Sequence, residues 1–131
     1  MREKNLGAGH PDTAQSLCNL ALLYYNQGKY DEAESLYKRS LTIREKILGT
    51  EHPDTSTSLN GLALLYQKQG KYEAAESLFK QTLKIREKAL GLKHLGTIKT
   101  LKELINLYEK SGDADKAAQY RAKLDKTETT Q

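Results

Sequence analysis

The sequence predicts an all-α protein, a helix-turn-helix repeat solenoid of about three repeats. Three observations predict it. First, His10-Pro11-Asp12-Thr13 returns as His52-Pro53-Asp54-Thr55 and decays to His94-Leu95-Gly96-Thr97, a shift of 42 residues. The same shift carries Gly28 to Gly70 to Gly112, Tyr24 to Tyr66 to Tyr108 and Ala33 to Ala75 to Ala117. Second, residues 10–48 and 52–90 agree at about 26 of 39 aligned positions, far above chance for a fixed period. Third, the apolar residues inside each copy fall three and four apart, the period of an amphipathic helix.

The elements follow in order. Residues 13–25 place Leu17, Leu20, Ala21, Leu23 and Tyr24 on one helical stripe. Pro11 suits the first turn, where its missing N–H costs nothing, and Asp12 complements the positive end of the dipole. Gly28 takes the left-handed cap position. A second helix is expected over 31–48, with Ala33, Leu36, Tyr37, Leu41, Ile43 and Leu48 inward and Gly49 beyond it. Only about three residues join the two, so they pack antiparallel. The second copy predicts helices over 53–69 and 73–90. The more polar third copy predicts them over 96–111 and 114–124. The repeat units are then 8–49, 50–91 and a degenerate, cap-like 92–124, with 125–131 a frayed polar tail. Arg44-Glu45-Lys46-Ile47-Leu48-Gly49 returns as Arg86-Glu87-Lys88-Ala89-Leu90-Gly91, and one period earlier lie Arg2-Glu3-Lys4-Asn5-Leu6-Gly7. Residues 1–7 are thus expected to be the tail of a preceding repeat, and the chain a piece of a longer array.

Composition narrows the function classes. The 131 residues are 37% hydrophobic, which suits thin stacked layers better than a thick core. No run of about 18 apolar residues or signal-like stretch occurs, so neither membrane nor secretion is indicated. Cys18 is the single cysteine, which rules out an internal disulfide framework and fits a reducing compartment; a cytoplasmic location is expected. A net charge of +4 with both signs interspersed does not argue for nucleic acid.

Catalytic and metal chemistry find no support. His10, His52 and His94 occupy one equivalent turn position per repeat. Helices pack about 8–10 Å apart, whereas zinc ligands lie about 2 Å from the metal, so the three cannot share an ion. They are expected to build the turn and start the helix. Cys18 has no base within a helical turn to activate it and reads as a small groove residue. The glycines are turn and cap residues, not a phosphate loop. Neighbouring Glu and Lys, such as Glu45 and Lys46, read as solvated faces worth tenths of a kcal/mol. No enzyme activity, cofactor or metal is expected.

Leu20-Ala21, Tyr24, Gly28, Tyr30, Ala33 and Tyr37 stand at the spacing of the tetratricopeptide repeat (TPR). Leu62-Ala63, Tyr66, Gly70, Tyr72, Ala75 and Phe79 repeat it, and Leu104, Tyr108, Gly112 and Ala117 keep part of it. The standard repeat has about 34 residues. This one is eight longer, mostly in its second helix and in the Gly-x-x-His-Pro-Asp-Thr connection. The long variant resembles the repeats of kinesin light chain and related bacterial arrays. The resemblance implies a short right-handed superhelix whose concave face is lined by the first helices, and a protein-binding role without catalysis.

In that family a ligand lies along the concave face, on first-helix positions not used in packing. Here these are Gln15, Cys18, Asn19, Leu22, Tyr25 and Asn26; Thr57, Asn60, Leu64, Gln67 and Lys68; and Lys99, Lys102, Asn106, Glu109 and Lys110. Asn19 and Asn60 carry both donor and acceptor, which matches a peptide unit. Leu22, Tyr25 and Leu64 supply apolar pockets, and the lysines favour an acidic residue or a terminal carboxylate. The family often shows two successive Asn before its Leu-Ala pair. Here those positions read Cys18-Asn19, Asn60-Gly61 and Lys102-Glu103. Lys99, Lys102 and Asn106 only partly resemble the carboxylate-clamp class, so a chaperone adaptor is not expected.

The competing expectation is a structural or self-associating spacer, a stacked or swapped dimer through an exposed N-terminal face at Leu20 and Leu23. RNA recognition by helical repeats needs stacking planes and base-reading side chains in every repeat. One groove Tyr and no groove Arg do not meet that need.

Overall fold

The computed structural model describes residues 10–129. The six helices among them are α1 (Pro11–Asn26), α2 (Tyr30–Leu48), α3 (Pro53–Lys68), α4 (Tyr72–Leu90), α5 (Leu95–Ser111) and α6 (Ala114–Thr129). No strand occurs among the described residues. The expected repeat tail at 1–7 lies outside them.

Each first helix starts in the same way. His10, His52 and His94 hold extended backbone, and each Nδ1 accepts the N–H two residues on, from Asp12, Asp54 and Gly96. One otherwise orphaned helix donor is satisfied each time. Imidazole, not a carboxylate or hydroxyl, is the cap. Thr55 and Thr97 then donate to the carbonyls of Gly49 and Gly91 at 2.7 and 2.8 Å, tying each helix start to the turn before it.

Each first helix also ends in a glycine-centred reversal. Gly28 has φ +78°, where a Cβ would be strained. Its N–H reaches the Tyr25 carbonyl and that of Lys29 reaches the Tyr24 carbonyl, a paired cap of the left-handed type. The chain reverses in three residues and α2 returns against α1.

Packing is sequential. Every helix rests on the next in the chain, and α1 also touches α3. Ala33, Tyr37, Leu62 and Leu65 form one buried cluster; Ala75, Phe79, Leu104, Leu107 and Tyr108 form another. Full burial of side chains such as Leu65 and Leu104 contributes about 1.5–3 kcal/mol each. Gly61 sets the approach of α2 to α3: a Cβ built there would lie 2.3 Å from Tyr37 Cε1. Tyr66 and Tyr108 each donate a hydroxyl to a glutamate of the preceding repeat, Glu34 at 2.8 Å and Glu76 at 2.6 Å.

The closing segment differs from expectation. Helix α6 continues to Thr129 through residues expected to fray. Leu124 and Thr127 are buried, and Thr127 Oγ1 donates to the Lys123 carbonyl at 2.9 Å, so the helix keeps an inward face past 124.

Candidate functional site

The C-terminal halves of α3 and α5 converge with the end of α1 on one cleft of about 420 Å³. Tyr25 comes from α1, Leu64, Gln67 and Lys68 from α3, Tyr72 from the start of α4, and Asn106 and Lys110 from α5. One turn or two before each cap, a first helix thus places its apolar, amide and cationic side chains toward its neighbours.

The electrostatics of this cleft are one-sided. Lys68 and Lys110 lie in the last turns of their helices, where the dipole favours a cation. Neither forms an ion pair among the described residues. Tyr25 packs on Tyr30 with ring centroids 5.8 Å apart. Burial, and secondarily Tyr30, raises its hydroxyl pKa, so it is a neutral wall. Gln67 and Asn106 add amide donors and acceptors. A carboxylate beside an apolar side chain fits this set.

Tyr25, Leu64, Gln67, Lys68, Asn106 and Lys110 are therefore brought together among the residues singled out from sequence. Leu22, Asn19, Asn26 and Thr57 are exposed on the same helices but do not line the cleft. Gln15 is taken by structure: it donates to Asn19 at 2.9 Å and accepts from Arg44 at 2.7 Å. Lys99 and Lys102 are exposed outside the cleft. Tyr72 was missed because it opens a second helix. Its equivalent one period earlier is Tyr30, the ring that packs on Tyr25, and that shift was the signal available.

Two expected groove residues need correction. Cys18 is buried between α2 and α3, with its Sγ 3.0 Å from Ser40 Oγ and 3.6 Å from Ser58 Oγ. Arg44 donates to Cys18 Sγ at 3.4 Å and to Ser58 at 3.2 Å, closing a polar knot between the repeats. Asn60, the position equivalent to Cys18, is 6% exposed. It faces Glu103, whose carboxyl pKa is raised by burial against the opposing pull of Lys99, Asn60 and Arg86. Asn60 thus belongs to the α3/α5 seam. In both cases a second helix covers what a single-helix pattern leaves open.

The three histidines are capping groups, each 42 residues from the next. No cluster of three metal-ligating groups occurs among the described residues. No described helix is long and apolar enough to cross a membrane.

The family profile of the tetratricopeptide repeat matches residues 1–46, 12–88 and 60–122, together nearly the whole chain. This chain belongs to the TPR family. Solved structures place it beside kinesin light chain-like repeat proteins. BtubC (BKLC) from P. vanneervenii aligns with a TM-score of 0.81 at 25% identity, over 88% of this chain and 46% of its own. A putative kinesin light chain of Podosopora anserina with nearly identical TPR-like repeats aligns at 0.78 and 28% identity, over 97% and 60%. A single-substitution variant of that protein aligns at 0.79 and 28%, over 96% and 59%. This TPR chain thus spans about half to three fifths of these proteins. No curated protein matches it. TPR repeats generally serve as protein-interaction scaffolds, and the family is typically non-enzymatic.

Proposed function

We infer that this TPR unit is a non-catalytic scaffold that holds an extended peptide segment in the α1/α3/α5 cleft, as a cytoplasmic protein without a cofactor. The observation that carries the reading is the pair of lysines without ion-pair partners, Lys68 and Lys110, on one cleft walled by Tyr25, Leu64 and Tyr72. An acidic side chain or terminal carboxylate of the ligand seats between the two cations. Its apolar neighbour packs on Leu64 and the tyrosines, and Gln67 and Asn106 pair with the peptide unit.

The test is peptide display against the chain, followed by fluorescence anisotropy on selected sequences. Selected peptides should share an acidic position beside an apolar one. Lys68→Glu with Lys110→Glu should weaken them more than about tenfold, as loss of two charge contacts implies. Lys99→Ala with Lys102→Ala, outside the cleft, should change little. Selected peptides indifferent to the Lys68 and Lys110 exchange would sink this reading.

A second reading, stacking within a longer array or a dimer, is favoured by one observation. Leu20 and Leu23 are 39% and 51% exposed, while Leu62 and Leu65, one period on, are buried.

A further inference from the structure

One pair of positions carries an amide and a carboxyl at the α3/α5 seam alone. Shifted by 42 residues, Cys18 becomes Asn60 and Gly61 becomes Glu103. Asn60 is buried, and Glu103 lies beside it. The Asn60 Oδ1 and the Glu103 Oε1 are both buried, and neither receives a hydrogen bond among the described residues. Two buried acceptors without a donor are costly, because each has left water and gained no partner.

The neighbouring donors are committed elsewhere. Arg86 directs its N–H groups to Ser56, the Gly96 carbonyl and Thr100. Thr100 Oγ1, on the turn before Glu103, donates to the Gly96 carbonyl at 3.0 Å. The charges acting on Glu103 are Lys99 of its own helix and Arg86 of α4, while α3 brings Asn60 and no charge. Lys102, next to it in the chain, is exposed. Burial raises the Glu103 carboxyl pKa, and Lys99, Asn60 and Arg86 pull it back without cancelling the rise.

A single proton serves both orphaned atoms. Protonated, a glutamate gains an O–H donor. Asn60 carries its donor and its acceptor on one planar amide, so a half-turn of that amide exchanges them. Toward the carboxylate it presents Nδ2; toward the acid it presents Oδ1. We propose that Glu103 and Asn60 form a proton-operated latch across the α3/α5 seam, closed by a hydrogen bond from protonated Glu103 Oε1 to Asn60 Oδ1.

The latch sits one helical turn from the cleft. Leu64 follows Asn60 by four residues and Asn106 follows Glu103 by three, so each shares a helix face with its latch residue. Closing the seam resets the spacing of two cleft walls, Leu64 on α3 and Asn106 on α5. Acidification thus regulates the cleft from beneath, through a carboxyl that does not line it. The inference goes beyond the peptide reading and does not depend on it.

The test follows the ligand-free chain by NMR, isotope-labelled at the glutamate carboxyls, side-chain amides and leucine methyls, from about pH 8 to about pH 4. The Glu103 carboxyl should titrate above the ordinary 4.5, and the Asn60 amide should move with the same midpoint. The Leu64 methyl and Asn106 amide signals should move with it. Glu103→Gln supplies a permanent donor in place of the acid O–H. It should abolish the shared transition and hold the Asn60, Leu64 and Asn106 signals near their wild-type acid positions at every pH, with unchanged helical circular dichroism. Asn60→Ala should leave Glu103 titrating but uncouple Leu64 from it. The proposal is overturned if the Asn60 amide ignores the Glu103 midpoint, or if Glu103→Gln holds these signals at the wild-type neutral positions. Leu64 and Asn106 signals that stay still while Asn60 moves would overturn the link to the cleft.

Discussion

At the α2/α3 junction, Arg44 is 3% exposed and its guanidinium meets neutral groups: Cys18, Ser58 and Gln15. At the α4/α5 junction, the equivalent Arg86 is less deeply buried. It donates to Ser56 and Thr100 at 3.1 and 2.9 Å, with the Glu103 carboxylate supporting its charge against desolvation. The aromatic–alanine packing and the Tyr–Glu bond are common to both. The difference teaches that the stacking frame is apolar plus one charged hydrogen bond. The polar centre beside it is free to vary, because a buried cation is weak evidence of stabilisation.

Breaking the shared frame should have the largest effect. Phe79→Ala empties a fully buried ring site at the second junction and should cost about 3–5 kcal/mol in urea unfolding. A cost similar to that of a surface substitution would contradict the packing described. Next, Gly61→Ala acts only at the first junction. Forcing a Cβ onto Tyr37 should cost about 1–3 kcal/mol, and a Tyr37→Ala background should remove most of that increment in a double-mutant cycle.

The polar centres should then separate the two junctions. Arg86→Met should cost about 1–2 kcal/mol by leaving the buried Glu103 carboxylate with less compensation. Arg44→Met should change stability by less than about 1 kcal/mol, since Cys18, Ser40 and Ser58 still bond one another and the replaced charge had no carboxylate. Equal costs at both sites would erase the distinction.

The smallest effect is pH dependence. The Tyr108 hydroxyl, with Lys116 and Lys80, holds the Glu76 carboxyl near about 2, against an ordinary 4.5. A lowered carboxyl pKa stabilises the fold above its unfolded value, and that contribution is lost as pH falls from 4.5 toward about 2. Glu34 is lowered too, by Lys38 first and Tyr66 second. Glu103 has the opposite sign: its raised pKa means that its burial penalty disappears on acidification. In thermal melts, Glu76→Gln should therefore flatten the acid limb, while Glu103→Gln should raise the melting temperature at neutral pH and steepen that limb. The reverse pattern would refute both assignments.

The fold was legible because its signals are local and repeated. His-Pro-Asp-Thr marks the first two helix starts, Gly28 and Gly70 mark the reversals, and the helical stripes lie inside one copy. The cleft was legible in part. Tyr25, Leu64, Gln67, Lys68, Asn106 and Lys110 are surface positions on single helices, so helical spacing finds them. Cys18 and Asn60 were not, because their burial depends on Ser40, Arg44 and Glu103, which belong to other helices. Tyr72 required knowing how far a second helix reaches over its neighbour. The extension of α6 past 124 depends on Leu124 and Thr127 facing inward together, which a polar stretch conceals.

Because each helix leans chiefly on those beside it in sequence, no contact has to wait for distant parts of the chain to meet. Such a topology assembles quickly, by growth outward from whichever hairpin forms first. Under tension it should yield in the same piecewise manner. Pulled from its C-terminus, the rod would shed α6 while the α1–α4 stack held its length, extending in steps of one or two helices instead of a single rupture.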